Sequence, residues 1–223
     1  MLAVLINCVA VIVGSLIGLI FKKGLPQKYA DAIMTGIALC VIYIGISGAL
    51  KGENALITIG AIVLGALIGT ALDIDGALKK LGDKAEAKLK GEGIANGFVT
   101  ASLIFCIGAM AVLGSIEAGL SHNYETLYVK SMLDGITSIM LSATMGVGVM
   151  LAAVPVLIYQ GFFALLAGVI APYLTDSALN ELICAGSLLI VAIGLNMLGI
   201  TKIKVADYLP AIIIAPILAL IFL

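Results

Sequence analysis

Residues 2–21 read LAVLINCVAVIVGSLIGLIF, a stretch of 20 residues without a charged side chain. A helix that crosses the hydrocarbon core of a bilayer needs about 20 mostly apolar residues. The rest of the chain has the same character, since 62% of its 223 residues are hydrophobic and 11% are charged. A water-soluble protein of this composition would lack the polar surface to cover itself. We therefore predict an all-α integral membrane protein without a separate soluble domain.

Hydropathy along the chain predicts eight membrane spans. They cover residues 2–21, 31–50, 55–72, 97–120, 130–153, 155–172, 178–200 and 206–223. The fifth and sixth spans are separated only by the residues from Ala152 to Pro155. A single bent segment there would give seven crossings, so seven spans remain the alternative.

The positions of the lysines support eight spans, because cytoplasmic loops carry an excess of positive charge. With eight spans, only Lys51 and Lys130 fall on the outer side. The other ten lie on the opposite side: Lys22, Lys23, Lys28, Lys79, Lys80, Lys84, Lys88, Lys90, Lys202 and Lys204. This distribution predicts a multi-pass protein of the cell (inner) membrane with both termini outside.

An internal repeat suggests how the spans are organised. The pattern Gly14-x3-Gly18-x12-Asp31-x4-Gly36 recurs as Ala164-x3-Gly168-x12-Glu181-x4-Gly186, and Gly45 then matches Gly194 after a one-residue gap. The lysine distribution places the second copy in the opposite orientation, as in the inverted-topology repeats of secondary transporters. We predict a three-helix repeat at 1–73, a cytoplasmic basic amphipathic helix at 74–96, a central helix pair at 97–153 and the inverted second repeat at 154–223.

Polar side chains at membrane depth are concentrated in the central helix pair. In the fifth span Asp134, Ser138 and Ser142 recur every four residues and so share one helix face. An ionisable group inside a span is costly and therefore a candidate for a functional site. The alternative is that Asp134 pairs with Lys130 as a solvated ion pair near the outer surface.

The predicted site assigns a role to each polar group. Asp134 would bind the coupling ion or proton, and Glu117 would be a secondary acid, although it lies near the outer end of its span. Neutral oxygens would come from Ser138, Ser142, Thr137 and Ser102. The amides Asn7, Gln160 and Asn196 are further candidates, with hydrogen bonding between helices as their alternative role.

Two glycine-containing runs in the central pair have two interpretations. GAMAVLGSIEAGL begins at Gly108, and SATMGVGVM begins at Ser142. Glycine at membrane depth permits unwound backbone that lines a cavity, but it also permits close helix packing. The motifs Gly14-x3-Gly18 and Gly65-x3-Gly69 likewise allow a homo-oligomer.

The sequence gives little support to an enzyme. The single histidine, His122, falls in a predicted outer loop, and the four cysteines lie apart in apolar runs. These residues cannot assemble a Ser/His dyad or a common zinc motif at membrane depth, and no nucleotide-binding loop is present. We therefore expect no catalytic residues, no metal and no cofactor, and the net charge of −1 argues against nucleic acid as a partner.

Three segments resemble one family of bacterial membrane proteins. They are FCIGAMAVLGSIEAGL at 105–120, KSMLDGITSIMLSATMGVGV at 130–149 and VPVLIYQG at 154–161. Together they are similar to the YqgA/YdfK family, and the resemblance covers nearly the whole chain. It implies a membrane location and a shared architecture, but no substrate, because the family has no assigned function. It also points to the two central helices.

These observations predict a secondary, ion-coupled transporter in the lipid bilayer. Its substrate would be a small solute or ion, such as a monovalent cation or a proton, bound between the fourth and fifth spans. A channel is the first alternative and predicts a continuous polar pore. A non-transporting membrane scaffold or assembly protein is the second, and it predicts that the polar face of the fifth span is buried in dry helix contacts.

Overall fold

The computed structural model describes residues 1–22, 27–77, 80, 94–107 and 109–223. Within these ranges the regular secondary structure is helical, without strands, which confirms the all-α prediction. The α-helices are α1 (Leu2–Lys22), α2 (Gln27–Ala49), α3 (Ala55–Ala71), α4 (Ile94–Cys106), α5 (Ala109–Leu120), α6 (Glu125–Met145), α7 (Gly148–Leu151), α8 (Ala153–Leu165), α9 (Ala167–Ile170), α10 (Asp176–Met197) and α11 (Ala211–Phe222). Residues 78, 79 and 81–93, which carry most of the amphipathic helix predicted at 74–96, lie outside the described residues.

Several helices have the length and composition of membrane spans. In the described part of the chain five segments qualify: Leu2–Phe21, Asp31–Ala49, Gly148–Leu165, Asp176–Met197 and Val205–Phe222. The segments Ile94–Cys106 and Met110–Leu120 form a sixth candidate that is bent by 58°. Helix α3 is apolar but has only 17 residues. Eight crossings would require α3 and α6 to span the membrane as well.

The boundary between the predicted fifth and sixth spans differs from the sequence-based expectation. Helix α6 ends at Met145, where Gly146 adopts φ +81° and ψ −154°. Glycine reaches this backbone region without the steric cost that a Cβ imposes. Pro155 lies in the first turn of α8, where the missing N–H removes no helical hydrogen bond. The main separation therefore lies at Gly146 and Val147, earlier than Ala152 to Pro155.

The described residues form two compact units. The first is drawn from Met1–Ile37 and Leu81–Ala171 and contains α1 and α4 to α9. The second is drawn from Ala38–Lys80 and Pro172–Leu223 and contains α3, α10 and α11, and α2 is divided about equally between the two units. Each unit thus combines helices from separate parts of the chain.

In the first unit, α1 and α6 pack closely through glycine. A Cβ atom added to Gly14 would overlap Ser138 Oγ and the Gly135 carbonyl, and one added to Gly18 would overlap Ser142 Oγ and a second α6 carbonyl. Because Gly14 faces Ser138 and Gly18 faces Ser142, the two helices run parallel. Small residues allow such close contact between membrane helices, where van der Waals packing drives association.

In the second unit, α3 and α11 pack antiparallel through small residues. Gly65 contacts Ala211, Ala61 shares a buried cluster with Ala215, and Gly69 lies against the carbonyl of Asp207 just before α11. The motif Gly65-x3-Gly69 is therefore covered within the chain, as is Gly14-x3-Gly18 in the first unit. Neither motif is left to support the predicted homo-oligomer.

Candidate functional site

Four polar side chains from three helices form a buried network in the first unit. Lys130 and Asp134 belong to α6, Asn7 to α1 and Gln160 to α8. Lys130 Nζ donates to Asp134 Oδ1 at 2.5 Å, and Asn7 Nδ2 donates to Asp134 Oδ2 at 3.0 Å. The same Asn7 nitrogen donates to Gln160 Oε1 at 3.1 Å. We call Lys130, Asp134, Asn7 and Gln160 the polar network.

The packing of α1 against α6 explains why the first two helices meet at this point. Asn7 lies seven residues before Gly14, close to two helical turns, so it projects from the face that contacts α6. On α6, Asp134 lies one turn before Ser138 on the contact face. The glycine contacts set the register of both helices, and that register brings the Asn7 amide to the Asp134 carboxylate.

Burial distinguishes the Lys130–Asp134 pair from an ordinary surface ion pair. Lys130 is 8% exposed and Asp134 is 3% exposed, so the predicted solvated pair does not describe this geometry. The Lys130 ammonium also lies 5.9 Å from the centre of the Phe105 ring, within the range of a cation–π interaction. Taking both charges out of water is expensive, and each one depends on the other for compensation.

The polar network leaves two hydrogen-bonding atoms unpaired. Asn7 Oδ1 and Gln160 Nε2 are buried and have no partner among the described residues. The Asn7 nitrogen must face the carboxylate, because a carboxylate accepts and the amide oxygen cannot donate. In this orientation Oδ1 is the Asn7 atom that has no hydrogen-bond partner among the described residues. A buried polar atom without a partner costs about 1–3 kcal/mol. Such unpaired atoms are typical of positions that receive water, an ion or a ligand.

A helix break lies next to the polar network. Helix α4 ends at Cys106 and α5 begins at Ala109, and the axis bends by 58° across this break. Phe105, in the last turn before the break, is the residue whose ring lies below the Lys130 ammonium. Irregular backbone at membrane depth is tolerated where it is buried in protein or lines a cavity.

The predicted serine face has a different environment from Asp134. Ser138 Oγ donates to the Gly135 carbonyl at 2.7 Å. Ser142 Oγ donates to the Ser138 carbonyl at 2.6 Å and approaches the Ser15 carbonyl of α1 at 3.0 Å. Both serines are fully buried and bonded to backbone, and Thr137 is partly buried on a neighbouring face. The structure thus joins Asp134 to Asn7 and Gln160, and places the two serines in helix packing.

The three remaining predicted residues form local hydrogen bonds. Ser102 Oγ donates to the Phe98 carbonyl of its own helix at 2.6 Å. Glu117 Oε2 accepts from Thr126 Oγ1 at 2.7 Å, across the connection between α5 and α6. In the second unit, Asn196 closes the turn after α10 by accepting from the Ile203 N–H and donating to the Ile203 carbonyl.

Comparison with known proteins places the chain in a family. A family model described as a protein of unknown function (DUF554) matches residues 2–220. The chain belongs to the DUF554 family. It is 34% identical over 221 residues to the "Uncharacterized membrane protein YdfK" of Bacillus subtilis (strain 168), covering 97% of this chain and 95% of that protein. It is 28% identical over 217 residues to the "Uncharacterized protein YqgA" of Escherichia coli (strain K12), covering 94% and 92%.

These matches confirm the resemblance to the YqgA/YdfK family. The printed description of YdfK as a membrane protein agrees with the apolar helices of this DUF554 member. No solved structure matches the chain. Among the residues that the structure describes, no group of three or more His, Cys, Asp or Glu side chains is placed to hold a metal ion.

A second buried carboxylate in this DUF554 protein was missed as a site by sequence reasoning. Glu181 of α10 is fully buried, and its Oε1 accepts from the backbone N–H groups of Glu53 and Asn54, each at 2.7 Å. Its Oε2 accepts from Thr58 Oγ1 at 2.7 Å. Glu181 therefore anchors the amino-terminal end of α3. The signal in the sequence was a glutamate near the start of the predicted span 178–200, where it was used only as the repeat counterpart of Asp31.

The loop before α3 is held by a further acidic side chain. Glu53 Oε2 accepts from Ser177 Oγ at 2.6 Å, and its Oε1 accepts from Asn180 Nδ2 at 2.7 Å. These hydrogen bonds, with Ser177 first and Asn180 second, hold the pKa of the exposed Glu53 carboxyl below its ordinary value. Together with Glu181, Glu53 ties the start of α3 to the start of α10.

Proposed function

We propose that this protein is a secondary, ion-coupled membrane transporter of a small solute or ion, with the polar network as its centre. The observation that carries the proposal is the buried Lys130–Asp134 pair, joined to two amides that each leave one atom unpaired. Ionisable side chains inside membrane helices are costly and mark substrate or ion pathways. Asp134 would be the coupling group, while Asn7 and Gln160 would contact the ligand.

The helix breaks in the first unit support this proposal. Secondary transporters build their sites from discontinuous helices, whose ends and released backbone groups face the ligand. The break between Cys106 and Ala109 lies beside the polar network, and a second one, at Gly146, follows α6. The second falls within the glycine-containing run that begins at Ser142, and the first lies next to the run that begins at Gly108.

Reciprocal contacts in the second unit support an inverted repeat. Gly45 of α2 packs against Val191 and the Ser187 carbonyl of α10. Gly194 of α10 packs against Ile42 and the Ala38 carbonyl of α2. The α10 residues Gly194, Val191 and Ser187 each lie 149 positions after Gly45, Ile42 and Ala38, so every contact has its counterpart. Two-fold related surfaces meet in this way.

The two copies of the repeat diverge at their first helices. Gly18 lies in close contact with α6, whereas its match Gly168 meets nothing within 4 Å. The coupling carboxylate Asp134 lies in the central helix pair and belongs to neither copy, whereas Asn7 comes from the first copy and Gln160 from the second. The proposed repeat therefore describes the scaffold around the polar network.

The proposed topology has eight crossings in the cell inner membrane, with both termini outside. With α1 as the first crossing and α6 as the fifth, the two helices must run parallel, as their packing requires. With α3 as the third and α11 as the eighth, those two must run antiparallel, which agrees with the Gly65–Ala211 and Ala61–Ala215 contacts. The lysine distribution supports the same topology.

A non-transporting membrane scaffold is the second candidate, and one observation favours it. Ser138 and Ser142 are fully buried and bonded to backbone carbonyls. That is the dry helix packing that a scaffold predicts for this face. The scaffold does not account for the unpaired amide atoms of Asn7 and Gln160, which is why we prefer a transporter.

The thermal stability of the purified protein against a panel of ions and small metabolites tests the proposal. A ligand that binds the native state raises the melting temperature by mass action. We expect at least one compound to stabilise the wild-type protein, to have no effect on Asp134→Asn and to keep its effect on the control Glu125→Gln, which changes an exposed carboxylate of the same helix. A wild-type protein that responds to no compound would contradict the transporter and favour the scaffold.

A further inference from the structure

The Lys130 ammonium occupies the position that a bound cation would take on Asp134. It contacts Oδ1 of the carboxylate at 2.5 Å, while Oδ2 faces the Asn7 amide. The ammonium has three N–H donors, and Asp134 is the one acceptor that the described residues give it. The positive charge of Lys130 therefore balances a buried negative charge without a full set of hydrogen bonds.

We infer that Lys130 is a built-in competitor for a monovalent metal cation that binds at Asp134. The inference rests on the proposed function and deepens it, because it assigns the coupling ion to the class of alkali cations. In the state seen here the lysine neutralises the carboxylate. When the cation binds, it takes the place of the ammonium, and Lys130 moves away from Asp134.

The oxygen atoms around Asp134 fit a hard monovalent cation. Such ions prefer carboxylate, carbonyl and water oxygens as ligands. The two Asp134 oxygens supply the charge, and Asn7 Oδ1 is a fully buried carbonyl oxygen to which no described residue donates a hydrogen bond. This oxygen belongs to the amide that already contacts Asp134, so it lies at the same site. A proton would need only the carboxylate and would leave the Asn7 oxygen unexplained.

Electrostatics makes binding of the two cations mutually exclusive. Two positive charges that share one carboxylate repel each other strongly where water is scarce. The Phe105 ring, 5.9 Å from the ammonium, stabilises the lysine-paired state through its π face. The Asp134 carboxylate is neutralised by either Lys130 or the metal cation, and an uncompensated positive charge results when both are present, so Lys130 must leave the carboxylate when the metal cation binds.

The test is a sodium titration of the melting temperature of the purified full-length protein. Choline chloride keeps the ionic strength and the anion constant, and potassium chloride provides a second alkali cation. We expect sodium or potassium to stabilise the wild-type protein more than choline does. In Lys130→Gln the competitor is absent, so the half-saturating concentration of the alkali cation should fall about tenfold or more. Lys130→Arg keeps the charge and should show no such fall.

A second variant keeps the test decisive if Lys130→Gln does not fold. Asn7→Leu keeps the side-chain shape and both members of the Lys130–Asp134 pair, but it removes the unpaired oxygen together with the Nδ2 donor to Asp134 and Gln160. It should raise the half-saturating concentration of the alkali cation about tenfold or more. Asp134→Asn should abolish the response, and Glu125→Gln, at an exposed carboxylate of the same helix, should retain it. A wild-type protein that responds equally to choline, a folded Lys130→Gln with unchanged half-saturation, or a full response in Asn7→Leu would overturn the inference.

The outcome also separates this inference from the proposed function. If alkali cations have no specific effect while a solute still stabilises the wild-type protein and not Asp134→Asn, the competition by Lys130 is wrong and the transporter remains. If the cation response follows the expected pattern but neither the cation nor any solute is moved across the membrane, the cation site stands and the transporter is contradicted.

Discussion

At the scale of single residues, we expect the loss of the Lys130–Asp134 pair to lower the free energy of unfolding more than any other single change in the first unit. Removing one partner of a buried ion pair typically costs about 3–5 kcal/mol, because the other charge stays buried without compensation. We expect Lys130→Gln and Asp134→Asn each to lower the free energy of unfolding by about this amount in choline buffer. The double variant should be more stable than the sum of the single effects predicts. Unfolding curves of all four proteins give the coupling energy, and strict additivity would contradict a direct buried pair.

Glu181 gives a second prediction at this scale, in the second unit. Its carboxylate accepts three hydrogen bonds, two from the backbone before α3 and one from Thr58. Glu181→Gln removes the charge and one acceptor, so we expect a loss of about 1–3 kcal/mol in stability. The control is Glu125→Gln, which changes an exposed residue in the first turn of α6. Equal melting temperatures for the two variants would show that Glu181 does not anchor the loop.

The sequence identifies single site residues better than it identifies their partners. Asp134, Asn7 and Gln160 each stand out as polar groups in apolar helices, and all three meet in the structure. Periodicity shows which face of a helix a residue occupies, but it does not show which helix lies opposite that face. For that reason Ser138 and Ser142 looked equivalent to Asp134, although the glycines of α1 cover them. Tyr159, whose hydroxyl is buried without a partner among the described residues, gave no pattern at all.

At the scale of helices, the contact between α1 and α6 determines where the polar network forms. In Gly18→Leu the new side chain would collide with the Ile139 carbonyl and Ser142 Oγ. Overpacking of this kind costs about 1–3 kcal/mol or more when backbone must move. Gly36→Ala is the control, because a Cβ at Gly36 meets nothing within 4 Å and alanine favours a helix. Thermal unfolding should show a clear loss for Gly18→Leu and no loss for Gly36→Ala, and the reverse order would contradict the register.

Helix boundaries follow from the sequence only where polar residues or caps mark them. Helix α3 begins where the Asn54 side chain accepts from the Leu56 N–H, and α10 begins at a Thr175 cap, so both starts lie close to the predicted span limits. The end of α6 depends on the positive φ angle of Gly146. A glycine inside an apolar run does not reveal its backbone angles. The boundary was therefore predicted next to Pro155 instead of at Gly146.

At the scale of the whole molecule, the hydropathy pattern was sufficient to predict an all-α membrane protein. The five qualifying segments, together with the bent pair, reproduce six of the predicted spans in the described residues. The two compact units were not predictable in the same way, because each combines distant parts of the chain. Contacts over such separations depend on complementary surfaces, and the local pattern along one helix does not encode them.

The proposed topology makes a prediction for chemical labelling in intact cells. In a cysteine-free background, single cysteines placed at the amino-terminal end and at His122 should react with a membrane-impermeant maleimide from outside. A cysteine at Lys202 should react only after the membrane is opened, because this lysine belongs to the predicted cytoplasmic set. In intact cells, labelling of a cysteine at Lys202 would contradict eight crossings with both termini outside. The same conclusion would follow if a cysteine at the amino-terminal end of the protein were not labelled.

The most direct test of the account is flux through the protein in proteoliposomes. The solute would be a compound that stabilises the wild-type protein, supplied at equal concentration on both sides with an imposed ion gradient. We expect saturable accumulation against the solute's own gradient, abolished by Asp134→Asn and retained by Glu125→Gln. Accumulation that persists in Asp134→Asn would remove the polar network from the mechanism. The absence of any flux in the wild-type protein would contradict the transporter itself.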